Sequence, residues 1–318
     1  MLRAALLTGL AVAGACRAAT TVSAPAGPYV LVLGTAQDGG LPQIGCSCSS
    51  CTTARGDPAR RRRVSALLVA DPRTGRRWLL DASPDLPEQV ESARGQPATR
   101  RALGPGAPLF EGIFLTHAHV GHYAGLLHLG REAYGARGLC VYASDRMAGF
   151  LRDNGPWSLL VDTGAIEIQR LAPGEPVELA ADLTLTPTRV PHRDEFSDTL
   201  AFVVRGPRRT LLYLPDIDQW ERWERPLEQV LAEVDVALLD GTFFDGGELP
   251  GRDLSGIPHP FVAGTIERLR AAPADLRARV LFTHLNHSNP LADPASEQCA
   301  RLRREGMGVA QDGQILEL

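Results

Sequence analysis

The stretch Thr116-His117-Ala118-His119-Val120-Gly121-His122 follows directly on the apolar run Gly112-Ile113-Phe114-Leu115. The run predicts a short buried strand, so the first two histidines sit where that strand ends. On an extended segment side chains at i and i+2 share a face. His117 and His119 therefore point to one side, and His122, at the start of a predicted helix, can turn back toward them. Other predicted strands end the same way. TPTRVPH closes on His192, LLYLPD on Asp216, VALLD on Asp240 and VLFTH on His284. Loops at strand ends, fixed by a rigid sheet, let ligands converge from distant parts of a chain. A lone histidine is usually structural, but the chain has only eight, and six lie in this cluster or at such ends. A metal centre is expected.

A second constellation is Gly45-Cys46-Ser47-Cys48-Ser49-Ser50-Cys51. Three thiols in C-x-C-x2-C can converge on one ion from a tight loop, and tetrahedral zinc then needs one further ligand from elsewhere. The competing reading is a disulfide framework, natural in an exported protein. An odd local count and two cysteines only two apart make complete pairing awkward. Cys140 and Cys299 stand alone in apolar surroundings and are expected to be buried structural thiols.

Around these motifs the chain reads as many short strands with single helices between them. Strands are predicted from Tyr29, Val64, Arg77, Gly112, Leu139, Ala165, Leu183, Thr199, Thr210, Val234 and Arg279. Helical patterns cover Leu86 to Ala93, Tyr123 to Tyr134, Asp145 to Asn154, Pro226 to Val234, Ala263 to Arg270 and Ala295 to Arg304. Strand content is high and strict βαβ alternation is lacking, which suits sheets packed face to face with helices outside. His128, six residues after His122 on a predicted helix, points away from it and carries no role. Asp240 is read as a supporting carboxylate.

The 318 residues carry a net charge of −4, with 44% hydrophobic and 22% charged residues. That is an ordinary globular balance with length to bury a core. Without a long Lys/Arg block, nucleic acid is not the expected partner; a small-molecule substrate is, and a homodimer stays open. The run Arg60 to Arg63 is read as a solvated turn. Residues 1–19 differ from the rest: Arg3 precedes the apolar run Ala4 to Ala15, and small residues follow. Such a run spans ~18 Å as helix, short of a hydrocarbon core of about 30 Å. It reads as a secretory leader, so the mature protein is expected to be periplasmic or secreted. Val12-Ala13-Gly14-Ala15-Cys16 loosely resembles a lipoprotein cleavage site, which would make Cys16 a lipid anchor and the only membrane contact. Residues 28–318 are expected to form one domain.

The run His117 to His122 resembles the H-x-H-x-D-H signature of the metallo-β-lactamase superfamily, with His192, Asp216 and His284 following in that superfamily's order. Asp81, in WLLDAS, matches its early structural aspartate. Within it, GTAQDGGLPQIGCSC, DASPDL, LLDGTFF and FTHLNHSNPL are similar to the coenzyme PQQ synthesis protein B family and to the phosphodiesterases of phosphonate degradation. The resemblance covers about Tyr29 to Leu318. It implies an α+β, four-layer αββα sandwich, the metallo-β-lactamase fold. It also implies one ion held by His117, His119 and His192, a second by His122 and His284, and a bridge from Asp216, with Asp218 the second choice. The resemblance further implies that His287 joins Cys46, Cys48 and Cys51 on a structural zinc, and that His259, where the phosphodiesterases keep a histidine acid, and Asp216 share catalytic duty. The cofactors implied are that zinc and one or two divalent ions, Zn first, then Mn or Fe.

Gly121 departs from the signature. With no carboxylate there, a tight first site and a weaker or conditional second one are expected. The function implied is hydrolysis of a phosphodiester, ester, amide or related bond by metal-activated water. The alternative is an accessory or carrier role in pyrroloquinoline quinone biosynthesis. Lactam hydrolysis fits less well, because of the cysteine loop and His287.

Overall fold

The computed structural model describes residues 25–95, 109–251, 253 and 256–318. The predicted leader, with Cys16, lies outside them. Fourteen strands form two sheets among the described residues. They are β1 (Tyr29–Gly34), β2 (Ala66–Asp71), β3 (Arg76–Leu80), β4 (Gly112–Phe114), β5 (Leu139–Ala143), β6 (Ile166–Arg170), β7 (Val177–Ala180), β8 (Leu183–Val190), β9 (Thr199–Arg205), β10 (Thr210–Leu214), β11 (Val236–Asp240), β12 (Val280–Thr283), β13 (Gly308–Val309) and β14 (Ile315–Glu317). One sheet has the order β14-β1-β2-β3-β4-β5-β6, the other β13-β12-β11-β10-β9-β8-β7.

Alternation along each strand shows how the layers form. Val30 and Val32 of β1 face the second sheet, in a core shared with Trp78, Leu80, Phe114, Leu185, Phe202, Leu211 and Tyr213. Leu31 and Leu33 face the other way, into a core closed by Leu86, Met147, Leu151 and Leu160 of the flanking helices. The second sheet buries its outer face against Leu227, Val230, Ile266 and Leu302. With both faces covered, runs such as Tyr29-Val30-Leu31-Val32-Leu33 are buried throughout and read as continuous apolar stretches. The result is the four-layer αββα sandwich expected from the sequence.

Strand direction brings the chemistry to one edge. β3, β4, β5 and β6 run parallel, as do β10, β11 and β12. β1 shares the direction of β3 through two antiparallel steps, and β8 that of β10 likewise. Every residue of interest therefore follows the carboxyl end of a strand.

Three expectations need correction. The helix predicted from Tyr123 to Tyr134 is a four-residue helix, Val120–Tyr123, running into a 3-10 turn, Ala124–Leu129. Gly125 donates its N–H to Ala82 O (2.9 Å), and a Cβ there would lie 2.1 Å from Ser83 O, so docking on the end of β3 overrides helical register. The arginine run is not uniformly solvated. Arg62 is buried and donates to Thr35 Oγ1 (3.1 Å) and to the carbonyls of Ala310 and Ala292 (3.4 and 3.1 Å). Cys140 is half-buried, whereas Cys299 is buried as expected. The short strands β7, β13 and β14 and the helices Ser49–Gly56, Trp157–Asp162 and Ala274–Arg277 were not predicted.

Candidate metal centre

Asp81 organises the first half of the site. It follows β3 directly, is fully buried, and has a positive φ of 64° that few non-glycine residues adopt. Its carboxylate accepts Thr116 N–H (2.8 Å) and the Tyr213 hydroxyl (3.3 Å), and stands 2.8 Å from His122 Nδ1. Thr116 Oγ1 donates to the same carboxylate and lies 3.0 Å from His117 Nδ1. With Nδ1 of both rings engaged, their Nε2 atoms turn toward the common gap.

The second sheet repeats the device. Asp240, at the end of β11, accepts the Thr242 hydroxyl (2.8 Å) and lies 2.8 Å from His259 Nδ1. Thr242 Oγ1 is 3.0 Å from His284 Nδ1, which again leaves Nε2 free. His284 has φ 58°, the second non-glycine residue with positive φ among the described residues. His192 Nδ1 lies 3.3 Å from Asp218 Oδ1, off the line of a hydrogen bond. His119 is steadied at the rim by Glu195, Nε2 to Oε2 3.1 Å.

Asp216 lies at the centre. Its Oδ2 is 2.9 Å from His122 Nε2, 3.3 Å from His284 Nε2 and 3.9 Å from His117 Nε2. Its Oδ1 is 3.7 Å from His192 Nε2 and 3.7 Å from His259 Nδ1. The donor atoms of His117, His119 and His192 group together, as do those of His117, His122 and Asp216. The Nε2 atoms of His122, His192 and His284 and Oδ2 of Asp216 are buried without a hydrogen-bond partner, the 2.9 Å His122–Asp216 contact lying off hydrogen-bond geometry. Buried polar atoms are normally paired, and four orphans aimed at one gap fit a divalent cation. All six expected ligands thus converge, and His259 and Asp240 flank them. His128 is exposed and apart.

Electrostatics follow from this packing. Burial and the neighbouring imidazoles push His117 and His284 well below the ordinary histidine value, and His192 down to about 2. These rings are therefore neutral, as ligands must be. Burial opposes charge on His122 and His259 as well, but the facing carboxylates outweigh it and raise both. For His122 these are Asp81 and Asp216; for His259, Asp240 and Asp216. Burial raises Asp216 itself.

A separate cluster joins the front of the chain to its back. His287 Nδ1 is 3.5, 3.6 and 3.5 Å from the sulfurs of Cys46, Cys48 and Cys51. A tetrahedral zinc with Zn–S about 2.3 Å and Zn–N about 2.0–2.1 Å places sulfur and nitrogen about 3.5 Å apart, so the four side chains fit that ion. Backbone N–H groups of Gln43 and Cys48 donate to Cys51 and Cys46 sulfurs, at 3.3 and 3.4 Å. The Cys48 N–H holds the Cys46 thiol below its ordinary value, while burial pushes Cys51 up to about 11 and lowers His287.

Sequence reasoning did not find Asp38. It lies in the loop after β1, 3.8 Å (Oδ1) from His122 Nε2, and groups with His122 and His284. An aspartate beside two glycines reads as a turn residue, so nothing local marked it. Thr116, Thr242 and Glu195 were missed as well, because their roles appear only in contacts with residues distant in sequence.

Comparison with known proteins identifies the family and the fold. Residues 76–285 match the family described as the Beta-lactamase superfamily domain. The chain belongs to the beta-lactamase superfamily. It is similar to coenzyme PQQ synthesis protein B of Methylorubrum extorquens strain PA1, at 29% identity over 91% of this chain and all of that one. The corresponding protein of Pseudomonas protegens is 30% identical, with the same shares covered. Among solved structures, Zn(2+)-bound PqqB from Methylobacterium extorquens superposes with a TM-score of 0.76 at 25% identity, over 91% of this chain and 100% of that one. A diphosphatase of the PhnP family shares the fold, with a TM-score of 0.63 at 23% identity, over 92% and 97% of the two chains.

Proposed function

We propose that this protein is an exported metal-dependent hydrolase acting on a phosphodiester, ester or related bond. The observation that carries the reading is the set of four buried, unpaired ligand atoms from His122, His192, Asp216 and His284, brought together from separate strand ends. His117, His119 and His192 would hold one divalent ion, His122 and His284 a second, and Asp216 would bridge them. Zinc suits this donor set first, with Mn or Fe as alternatives. A divalent ion so held would supply a bound water of pKa about 7 and a charge to polarise the electrophile.

The protein's own groups do the rest. Thr116, Thr242 and Asp81 fix ring orientation, and burial keeps three imidazoles neutral. His259, held by Asp240 through Nδ1, has Nε2 left to give a proton to a leaving group. Cys46, Cys48, Cys51 and His287 would hold a structural zinc. The periplasmic or secreted location rests on residues 1–19, and a lipid anchor on Cys16.

The test is turnover of bis-(p-nitrophenyl) phosphate and an ester panel by metal-replete protein, with His119→Ala as control. Hydrolysis that disappears in the variant supports the reading. No turnover from a folded, metal-loaded protein refutes it, and favours the accessory role in pyrroloquinoline quinone biosynthesis that the relatives' names suggest.

A further inference from the structure

The glycine at position 121 leaves the second ion without the carboxylate that the superfamily signature supplies. We infer that Asp38, delivered from the loop after β1, provides that carboxylate in trans to the motif. The inference rests on the metal-centre reading above.

Three observations carry it. First, a Cβ built on Gly121 would lie 2.1 Å from Asp38 Oδ1 and 2.9 Å from its Cα. The Asp38 carboxylate thus fills the space that any side chain at 121 would enter, and the two positions cannot both carry one without a shift. Second, the atoms Asp38 faces need a partner. Nε2 of His122 and of His284 are buried without one, and both group with its carboxylate. Two ligands on one zinc, each at about 2.1 Å, stand at most about 4.2 Å apart. The Asp38–His122 distance of 3.8 Å and the Asp216 distances of 2.9 and 3.3 Å to His122 and His284 all fall within that reach. Third, the loop is built in place rather than draped there. Gln37 N–H donates to Leu285 O (2.9 Å), Leu285 N–H to Thr35 O (2.8 Å), and Asn286 Nδ2 to Gln37 Oε1 (2.5 Å). Asp38 is thereby tied to the residues that follow His284.

Asp38 Oδ1 also accepts the Gly121 N–H at 3.0 Å. A purely structural role as the anchor of the 120–123 turn is the rival explanation, and the test separates the two. Asp38→Asn keeps shape and an acceptor for that N–H but removes the charge. Gly121→Ala leaves Asp38 in the sequence and displaces its carboxylate. The readout is zinc stoichiometry and stepwise affinity of the full chain, by competition with a chromophoric chelator. Wild type should take up three ions: one thiolate-bound and two in the histidine cluster. Both variants should lose the weakest of the three, or bind it at least tenfold less tightly, with the other two unchanged. Unchanged affinity in Asp38→Asn would overturn the inference, even if Asp38→Ala weakened binding, because only the hydrogen bond would then matter. A wild type with a single ion in the histidine cluster would overturn it too. A wild type with none there would remove the metal-centre reading itself.

Discussion

Replacing His287 by alanine tests the clip between the ends of the chain, and the size of the effect follows from where its partners lie. His287 is separated from Cys46, Cys48 and Cys51 by 241, 239 and 236 residues. A covalent link closing a loop of 100 residues stabilises by about 4.7 kcal/mol through the unfolded chain. Each doubling of the loop adds about 0.6 kcal/mol, which gives roughly 5.5 kcal/mol here. The three thiolates keep some hold on zinc after unfolding, which reduces the effect, so about 3–5 kcal/mol is expected. At roughly 2 °C per kcal/mol for a domain of this size, His287→Ala should melt ~6–10 °C lower in zinc-saturated buffer, read by circular dichroism. Cys51→Ser should lower it comparably. The double variant should lose no more than the worse single, because both remove the same link. A His287→Ala melting temperature within ~2 °C of wild type, or additive losses, would refute the reasoning. The clip also bears on the site, since Asp38 lies at the start of the loop it fastens.

Other outcomes follow from the same geometry. Asp81→Asn tolerates the left-handed backbone but weakens the acceptor for His122 Nδ1; divalent affinity should fall about 10–100-fold, measured by chelator competition, and unchanged affinity would contradict it. His259→Gln should slow a substrate with a poor leaving group by roughly 10²–10⁴ and barely affect bis-(p-nitrophenyl) phosphate; equal effects on both would discard the acid role. Asp240 and Asp216 raise His259, so its acid form persists below that raised pKa. Turnover of the poor substrate should therefore fall as pH rises through it, and the falling limb should vanish in His259→Gln. Arg62→Ala removes the donors to the buried Ala310 O and the half-buried Ala292 O and should cost about 1–3 kcal/mol in urea unfolding; a loss below ~0.5 kcal/mol would show that the arginine is dispensable.

The histidines were legible because their signal is local. His117 and His119 sit two apart at the end of an apolar run, Asp216 and His284 each close a run of the same kind, and His192 closes an alternating strand. The two-sheet architecture was legible from apolar strands too continuous to have a wet face. What stayed hidden depends on contacts across the fold. Asp38 acquires meaning only when its loop meets a glycine 83 residues later. Tyr123 to Tyr134 carries a helical pattern, yet the end of β3 captures its backbone. β13 and β14, of two and three residues, are too short for any periodicity, and they form because β12 and β1 offer edges to pair with.

The central claim is that six side chains from four strand ends enclose a cation while a separate sulfur-rich cluster holds another. Diffraction data collected on either side of the zinc edge, from crystals of the full chain grown without chelator, would test it most directly. The account predicts one anomalous peak bounded by Cys46, Cys48, Cys51 and His287, and at least one more beside Asp216 among His117, His119 and His192. A peak at the cysteines alone, with the histidine cluster empty after zinc soaking, would contradict it.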